Sequence, residues 1–141
     1  MMLKQKEINQ QKLREGAKDV QDVVAFSFNY MLDNNKYSLQ SKHADKNAKI
    51  KLLNSIQKYS CLTWSSFASS NKDESGVEYI DRKKLSSLKV NIPKQDFYNE
   101  IKGFHIFRFG GKNHRICGWR ENNICYVLWI DWDLTSYDHG S

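Results

Sequence analysis

The residues best placed to do chemistry lie in the last third of the chain. Arg115 stands in a strand-like segment, where a buried arginine needs an anionic partner: either Asp131 or Asp133 in a structural ion pair, or an anionic ligand. His139 follows the last apolar segment, and it can transfer protons near neutrality because the ordinary pKa of histidine is about 6.5. Tyr137 can hold a base or a leaving group, or stack on a nucleobase. The alternative is that Tyr137 and His139 belong to an untethered tail.

Asp131 and Asp133 form a second candidate site, because two residues spaced two apart point to the same side of a strand. Such a pair can bind a divalent metal or divide acid and base roles. A metal nuclease needs a further ligand that the sequence does not nominate, and His114 and Cys117 would face opposite sides of a strand. Cys117 and Cys125 are expected to be small buried residues. We therefore expect a site without metal or cofactor, with Asp131 and Asp133 as ligands only if activity depends on metal.

The chain carries an excess of positive charge that suits a polyanionic partner. Its 22 Lys and Arg residues outnumber its 16 Asp and Glu residues, which gives a net charge of +6. Such a charge binds RNA or DNA through counterion release, although many small domains carry a similar charge for solubility alone. The candidate contacts to a nucleic-acid backbone are Arg82, Lys83, Lys84, Arg108 and Lys112. Most aromatic residues fit a core, and Trp132 and Tyr137 are the best candidates for stacking on a base.

Apolar periodicity predicts a single α+β domain over residues 22–141, preceded by a polar helix or arm over residues 1–21. The predicted elements are a strand at 24–30, a helix at 44–59, a short helix capped by Thr63, and strands at 104–109, 113–120 and 124–132. Gly110-Gly111 and Asn122-Asn123 supply the turns of this C-terminal meander. We expect an antiparallel sheet, made of the first strand and the meander, with the two helices on one face. The long polar connection at 69–103 is either functional or partly structured.

This order of elements, together with the C-terminal pattern, resembles the RelE/ParE/YoeB/HigB superfamily of small bacterial toxins over residues 22–139. In the ribonuclease members an arginine lies on the second strand of the meander and a histidine or tyrosine follows the last strand, as Arg115, Tyr137 and His139 do here. The resemblance implies a growth-arrest toxin that cleaves mRNA, free or on the ribosome, without metal. Arg115 would stabilise the charge that grows on the phosphate during attack by the 2′-hydroxyl, and His139 or Tyr137 would handle protons. A cognate antitoxin protein is the implied partner.

Two classes of non-catalytic protein remain as alternatives to the ribonuclease. ParE-like members of the same superfamily inhibit a topoisomerase and need no catalytic set, and neither does an accessory nucleic-acid-binding protein of a phage or plasmid. The chain departs from the superfamily pattern in its long connection at 69–103 and in its acidic strand end at Asp131 and Asp133. No apolar run approaches the roughly 20 residues that span a bilayer, and the charged first residues do not resemble a signal peptide. Since the three cysteines also lack paired spacing, we expect a cytoplasmic protein that does not bind membranes.

Overall fold

The structure is a computed structural model, and it describes residues 22–138. In chain order the elements are β1 (Ala25–Ser27), α1 (Lys46–Ser60), α2 (Trp64–Ala68), α3 (Lys72–Ser75), β2 (Val77–Asp81), a 3-10 helix (Arg82–Lys84), α4 (Asp96–Asn99), β3 (Gly103–Phe109), β4 (His114–Glu121) and β5 (Ile124–Asp131). The predicted α+β class is confirmed, and the arm predicted for residues 1–21 lies outside the described residues. None of the helices between residues 22 and 138 has the length and apolar character that a membrane span requires.

The sheet is mixed, which corrects the expectation of a fully antiparallel sheet. Its strand order is β1-β5-β4-β3-β2. β1 runs parallel to β5, with Ala25 opposite Ile124, while all other neighbouring strands are antiparallel. A parallel pair needs a long crossover connection, and the helices and strands between β1 and β5 provide it. Alternation along a strand shows which residues share a face but not the direction of the neighbouring strand.

The long polar connection contains a strand where the sequence predicts none. β2 pairs with β3 from Val77 opposite Phe107 to Asp81 opposite Gly103. The residues of β2 do alternate between the two faces, since Val77 packs in the core on one face and Ile80 packs against the core on the other. The strand signal was weak because the segment is short, lies at the sheet edge and carries acidic residues that are rare in strands. Its presence makes the sheet five strands wide, not four.

The two predicted helices begin at side-chain caps. Asp45 Oδ1 accepts a hydrogen bond from Ala48 N at 2.8 Å at the start of α1. Thr63 Oγ1 accepts one from Ser66 N at 3.3 Å at the start of α2, as predicted from the sequence. The buried residues of α1 are Ala48, Leu52 and Tyr59. Leu53, which periodicity places on the same apolar side, is 65% exposed.

Both faces of the sheet are covered, and a separate hydrophobic core lies on each face. α1 and α2 pack on one face, against Phe107 and Val127 among others. On the other face, the segment between β2 and β3 and the residues that follow β5 cover Phe104 and Trp129, both fully buried. The connection at 69–103 is therefore part of the fold and not a free loop. Cys117 and Cys125 have no exposed surface, as the sequence predicts.

Candidate functional site

The β3–β4 hairpin places two arginines side by side. Gly110 and Gly111 turn the chain with φ angles of 60° and 70°, a left-handed conformation that glycine adopts without strain. The register of the hairpin sets Arg108 directly opposite Arg115. Directly opposed residues share a face, with Cβ atoms about 4.5–5.5 Å apart, and like charges in this position destabilise a sheet. The pair therefore needs anionic or hydrogen-bonding partners.

The two guanidinium groups are mostly buried and only partly satisfied. Arg115 is 7% exposed, and its Nη1 donates to the carbonyl oxygens of Lys112 and His114, each at 3.0 Å. The side chain of Arg108 is 15% exposed, and its Nη1 donates to Asp73 Oδ1 at 3.0 Å. The buried Nε atoms of Arg108 and Arg115 have no hydrogen-bond partner within residues 22–138. Since a buried donor without a partner costs about 1–3 kcal/mol, these two N–H groups mark a place where an anion would be stabilised.

A cavity of about 320 Å³ lies beside Arg108, at the hairpin end of the sheet. Its charged lining residues are Lys58, Arg108, Lys112, Asp73 and Glu74. The Asp73 side chain is 70% exposed, and the hydrogen bond from Arg108 lowers the pKa of this carboxyl. The cavity brings together Arg108 and Lys112, both assigned from the sequence to the nucleic-acid backbone. Because Lys58 adds a third cation, the cavity can accept an anionic group.

Tyr59 of α1 lines this cavity and binds the backbone of β3, the strand that carries Arg108. Its hydroxyl donates to the carbonyl oxygen of Arg108 at 2.6 Å, and burial raises its pKa to about 12. Gly76, at the end of α3, lies so close that an added Cβ would sit 2.6 Å from Tyr59 Oη. Gly76 also adopts a φ of 77°, so this close approach requires glycine. Tyr59 therefore stays protonated and positions the backbone of Arg108.

Asp131 holds the segment that follows β5 against the sheet. The residue is fully buried and lies opposite Arg115 in the β4–β5 register. Its Oδ1 accepts a hydrogen bond from Thr135 N at 3.0 Å, and its Oδ2 accepts bonds from Ser136 N at 3.0 Å and Ser136 Oγ at 2.5 Å. Ser136 Oγ also accepts a hydrogen bond from Trp129 Nε1 at 3.1 Å. Asp131 is thus committed to a buried network that fixes the end of the described chain.

Tyr137 belongs to the core of the face that carries the arginine pair. It is 4% exposed and packs in the second core, so the untethered-tail alternative does not hold for this residue. Burial raises the pKa of its phenol well above the ordinary value, while the charge of Arg115 acts in the opposite direction. Tyr137 therefore stays protonated at neutral pH and can donate a hydrogen bond, but it cannot act as a base. His139 lies outside the described residues.

The two aspartates of the predicted metal alternative point to different partners. Asp133 Oδ1 accepts a hydrogen bond from Thr135 Oγ1 at 2.5 Å, and its Oδ2 lies 3.8 Å from Lys36 Nζ and 3.7 Å from His43 Nε2. The chain bends directly after β5, so Asp131 and Asp133 do not share one strand face. In the part of the chain that the structure describes, no group of three or more His, Cys, Asp or Glu side chains could hold a metal ion.

Arg82, Lys83 and Lys84 do not join the arginine pair. They form the 3-10 helix that follows β2, next to the start of β3, whereas the hairpin lies at its far end, about 20 Å away along a seven-residue strand. Nη1 of Arg82 donates to the carbonyl oxygens of Tyr98 at 2.5 Å and Ile101 at 3.2 Å. Arg82 thus fastens the α4 segment, while Lys83 and Lys84 remain exposed to solvent.

His114 is a candidate proton acceptor that spacing did not single out. It lies next to Arg115 on β4, with its side chain on the other face of the sheet. Its Nδ1 lies 2.6 Å from the carbonyl oxygen of Trp132. Because a carbonyl only accepts, Nδ1 carries the hydrogen, and in the neutral ring Nε2 has a lone pair. The only sequence signal for this role is the adjacency of His114 to Arg115.

Trp132 is not a stacking platform, which corrects the expectation from the sequence. It is 3% exposed, and its indole N–H donates to the carbonyl oxygen of Ser38 at 2.7 Å. Its ring packs against Phe109 and His114 at centroid distances of 5.7 and 5.9 Å. The residue supports the hairpin end of the sheet from one face. Trp132 is therefore not available to stack on a base.

Comparison of the chain with protein-family models, with curated proteins and with solved structures finds no match. The functional conclusion therefore rests on the geometry of the arginine pair and its cavity. That geometry offers the guanidinium of Arg108 and two lysines to an anionic group at one end of the sheet, with Arg115 opposite Arg108 on β4.

Proposed function

We propose that this protein is a metal-independent endoribonuclease of the RelE type, in which Arg108 and Arg115 hold the phosphate that is attacked. The observation that carries the proposal is the opposed arginine pair, whose Nε–H groups are both buried and unpartnered in residues 22–138. A guanidinium forms two parallel hydrogen bonds to phosphate oxygens, so two adjacent guanidinium groups match one phosphodiester. Lys58 and Lys112 would contact flanking phosphates, since both line the adjacent cavity.

The proposed reaction is an intramolecular transesterification of one phosphodiester of the RNA. The 2′-hydroxyl oxygen attacks the phosphorus and loses its proton to a base, while the bond from phosphorus to the 5′-oxygen breaks and this oxygen gains a proton. The products are a 2′,3′-cyclic phosphate and a free 5′-hydroxyl. Arg108 and Arg115 would donate to the non-bridging oxygens, where negative charge grows in the transition state. Tyr137, which is buried in the core on the same face of the sheet and stays protonated, would support the position of Arg115 and would not contact the phosphate.

The proton transfers require a group other than Tyr137. His139, assigned from the C-terminal pattern, is the first candidate. His114 is the second: the hydrogen bond from its Nδ1 to the Trp132 carbonyl leaves Nε2 of the neutral ring able to accept a proton, but its side chain lies on the opposite face of the sheet from the two arginines. Substitution of each histidine in turn distinguishes the two candidates.

A non-catalytic role is the second candidate, and one observation favours it. No histidine lines the cavity beside Arg108 within the described residues, and Tyr137 is buried. The arginine pair could then bind a phosphate of a nucleic acid without cutting it, as in a ParE-like topoisomerase inhibitor or a nucleic-acid-binding accessory protein. This candidate predicts binding without strand cleavage.

The proposal is tested by incubating the purified chain with a 5′-labelled single-stranded RNA in excess EDTA. We expect internal cleavage and fragments that end in a 2′,3′-cyclic phosphate, and we expect induction in a bacterium to arrest growth with cleaved mRNA. Lys112→Gln should slow cleavage, while Lys46→Gln, an exposed charge near the start of α1, serves as the matched control. Loss of activity in EDTA with rescue by Mg²⁺ would overturn the metal-free mechanism. Growth arrest with intact mRNA and blocked DNA supercoiling would instead support the ParE-like alternative.

A further inference from the structure

The sheet forks at the end opposite the hairpin. Pairing between β3 and β4 ends at His105 opposite Gly118, yet β3 still pairs with β2 as far as Gly103. β4 likewise still pairs with β5 as far as Glu121. The β4–β5 register shifts between Cys117 and Gly118, and such a bulge bends and twists the strand that carries it. The sheet therefore opens into two ribbons, β2–β3 and β4–β5, with a cleft between their ends.

A cavity of about 510 Å³ occupies this cleft. Its aromatic lining residues are Tyr30, Tyr79, Phe97, Trp119 and Tyr126. This volume lies within the range of about 300–1,000 Å³ that is typical of small-molecule sites. Because the two ribbons diverge, rings from four stretches of the chain reach one space: the segment after β1, β2, α4 and the β4–β5 hairpin. The cavity is distinct from the one beside Arg108.

The rings in the cleft are ordered against one another but remain partly open to solvent. Trp119 and Tyr126 stack with centroids 4.6 Å apart and an interplanar angle of 24°. Tyr30 and Phe97 pack against Trp119 at 5.7 and 5.6 Å. Each of these rings is only partly buried, and Tyr79 at the sheet edge is 56% exposed. Aromatic faces left in contact with water beside a cavity suit a planar ligand that can stack on them.

The charges around the cleft are balanced. Glu100 and Glu121 offset Lys102 and Arg120. The guanidinium of Arg120 lies 4.5 Å from the ring centroid of Trp64, and its Nε donates to the carbonyl oxygen of Asn122 at 2.6 Å, so it is already engaged. The cleft therefore offers no net charge to a phosphate. A neutral planar group is the occupant that this lining favours.

We propose that the aromatic cleft at the fork binds a nucleobase of the single-stranded RNA whose phosphate contacts Arg108 and Arg115. This inference rests on the proposed function and adds the feature of the substrate that the protein recognises beside the scissile phosphate. Three residues of β3 separate His105, in the cleft, from Arg108, which corresponds to about 10 Å. About three stacked nucleotides cover that distance at 3.4 Å per nucleotide. Ile106 and Cys117, which lie between the two sites, are fully buried, so the RNA would pass over the surface of the protein and span more than three nucleotides, with the recognised base out of the stack as in other single-strand readers.

The test measures the affinity of the full chain for labelled single-stranded RNA oligonucleotides. One is complete, and each of the others lacks the base at a single position, which differs from one oligonucleotide to the next. Trp119→Leu removes the central ring of the cleft, and Trp119→Phe keeps a ring in the same place as the matched control. We expect Trp119→Leu to weaken binding by about 5- to 150-fold, the range for the loss of one base–aromatic stack. We expect the abasic RNA to bind the parent chain more weakly, and Trp119→Leu to bind both RNAs equally.

A second variant guards against misfolding of the first. Tyr79→Leu removes an exposed ring at the edge strand, where substitution leaves the core intact. The proposed base site is supported if either folded variant binds the complete RNA more weakly than the parent does and binds the abasic RNA with the same affinity as the complete RNA. RNA binding that depends on Arg108 but not on Trp119 or Tyr79 overturns the cleft alone. Absence of RNA binding by the parent chain overturns the proposed function and the cleft with it, while binding without cleavage overturns only the nuclease.

Discussion

Asp131 Oδ2 accepts hydrogen bonds from both the backbone nitrogen and the hydroxyl of Ser136, and this contact fixes the segment that carries Tyr137. Asp131 is also the cross-strand neighbour of Arg115. The aspartate therefore has a positioning role for two members of the candidate site. Neither the strand end nor the segment after it would keep its place without this carboxylate.

Replacement of Asp131 by Ala should destabilise the fold strongly. The change leaves the buried Thr135 and Ser136 donors without an acceptor, and we expect a loss of about 3 kcal/mol or more in the free energy of unfolding. Urea titration monitored by circular dichroism measures this loss. Asp133→Ala is the control, because its partly exposed carboxylate loses one hydrogen bond from Thr135 Oγ1 and an ion pair with Lys36, together about 1–2 kcal/mol. Equal effects of the two changes would contradict the buried network.

Arg108→Lys and Arg115→Lys should each slow RNA cleavage by about 10²-fold while the protein stays folded. Lysine keeps the charge, so a buried acid is not left alone, but it lacks the planar fork that two phosphate oxygens require. The comparison uses single-turnover cleavage together with thermal unfolding of each variant. Lys46→Gln, an exposed charge that lines neither cavity, is the control for a general change of charge. Cleavage at the parental rate by both folded variants would remove the arginine pair from the site.

His139 and His114 are separated by their effects on activity and on stability. If His139 supplies the base, His139→Ala should lower cleavage by about 10²-fold or more, and His114→Gln should leave it near the parental value. The opposite pattern would assign the base to His114. His114→Gln should also lower the melting temperature, because the ring packs against Phe109 and its Nδ1 binds the Trp132 carbonyl. The pH dependence of cleavage in each variant identifies which histidine titrates.

His105 makes the fold sensitive to acid. Burial lowers its pKa to about 4, with the charge of Arg120 acting in the same direction. The unfolded chain takes up a proton at this site below pH about 6.5, whereas the folded chain does so only near pH 4. Stability is therefore lost as the pH falls from about 6.5 towards 4, by on the order of 2 kcal/mol from this group. Urea titrations across this range on the parent and on His105→Phe should show a smaller decline for the variant; parallel curves would exclude His105 as the cause.

The sequence alone determined the elements whose signals are local. The three strands of the meander lie within one or two residues of their predicted bounds, because long apolar runs and the glycine and asparagine turns limit them. Thr63 caps α2 for the same reason: a cap needs only the next three residues. The hairpin that opposes Arg108 to Arg115 is also local, since a short turn fixes the register of its strands.

Only the tertiary structure decided which distant segments meet. The parallel pairing of β1 with β5 and the presence of β2 at the other edge depend on packing across the sheet, which alternation within one segment does not encode. The same holds for Tyr59 against Arg108, separated by 49 positions in the chain, and for Asp73 as the partner of Arg108.

Tyr137 looked like a tail residue in the sequence, yet burial places it in the core. The aromatic cleft is formed by four separate stretches of the chain, and each of its rings, taken alone, has the sequence character of an ordinary core residue. Local propensity and turn chemistry determine elements, whereas burial and the choice of partners are set by contacts between elements far apart in sequence.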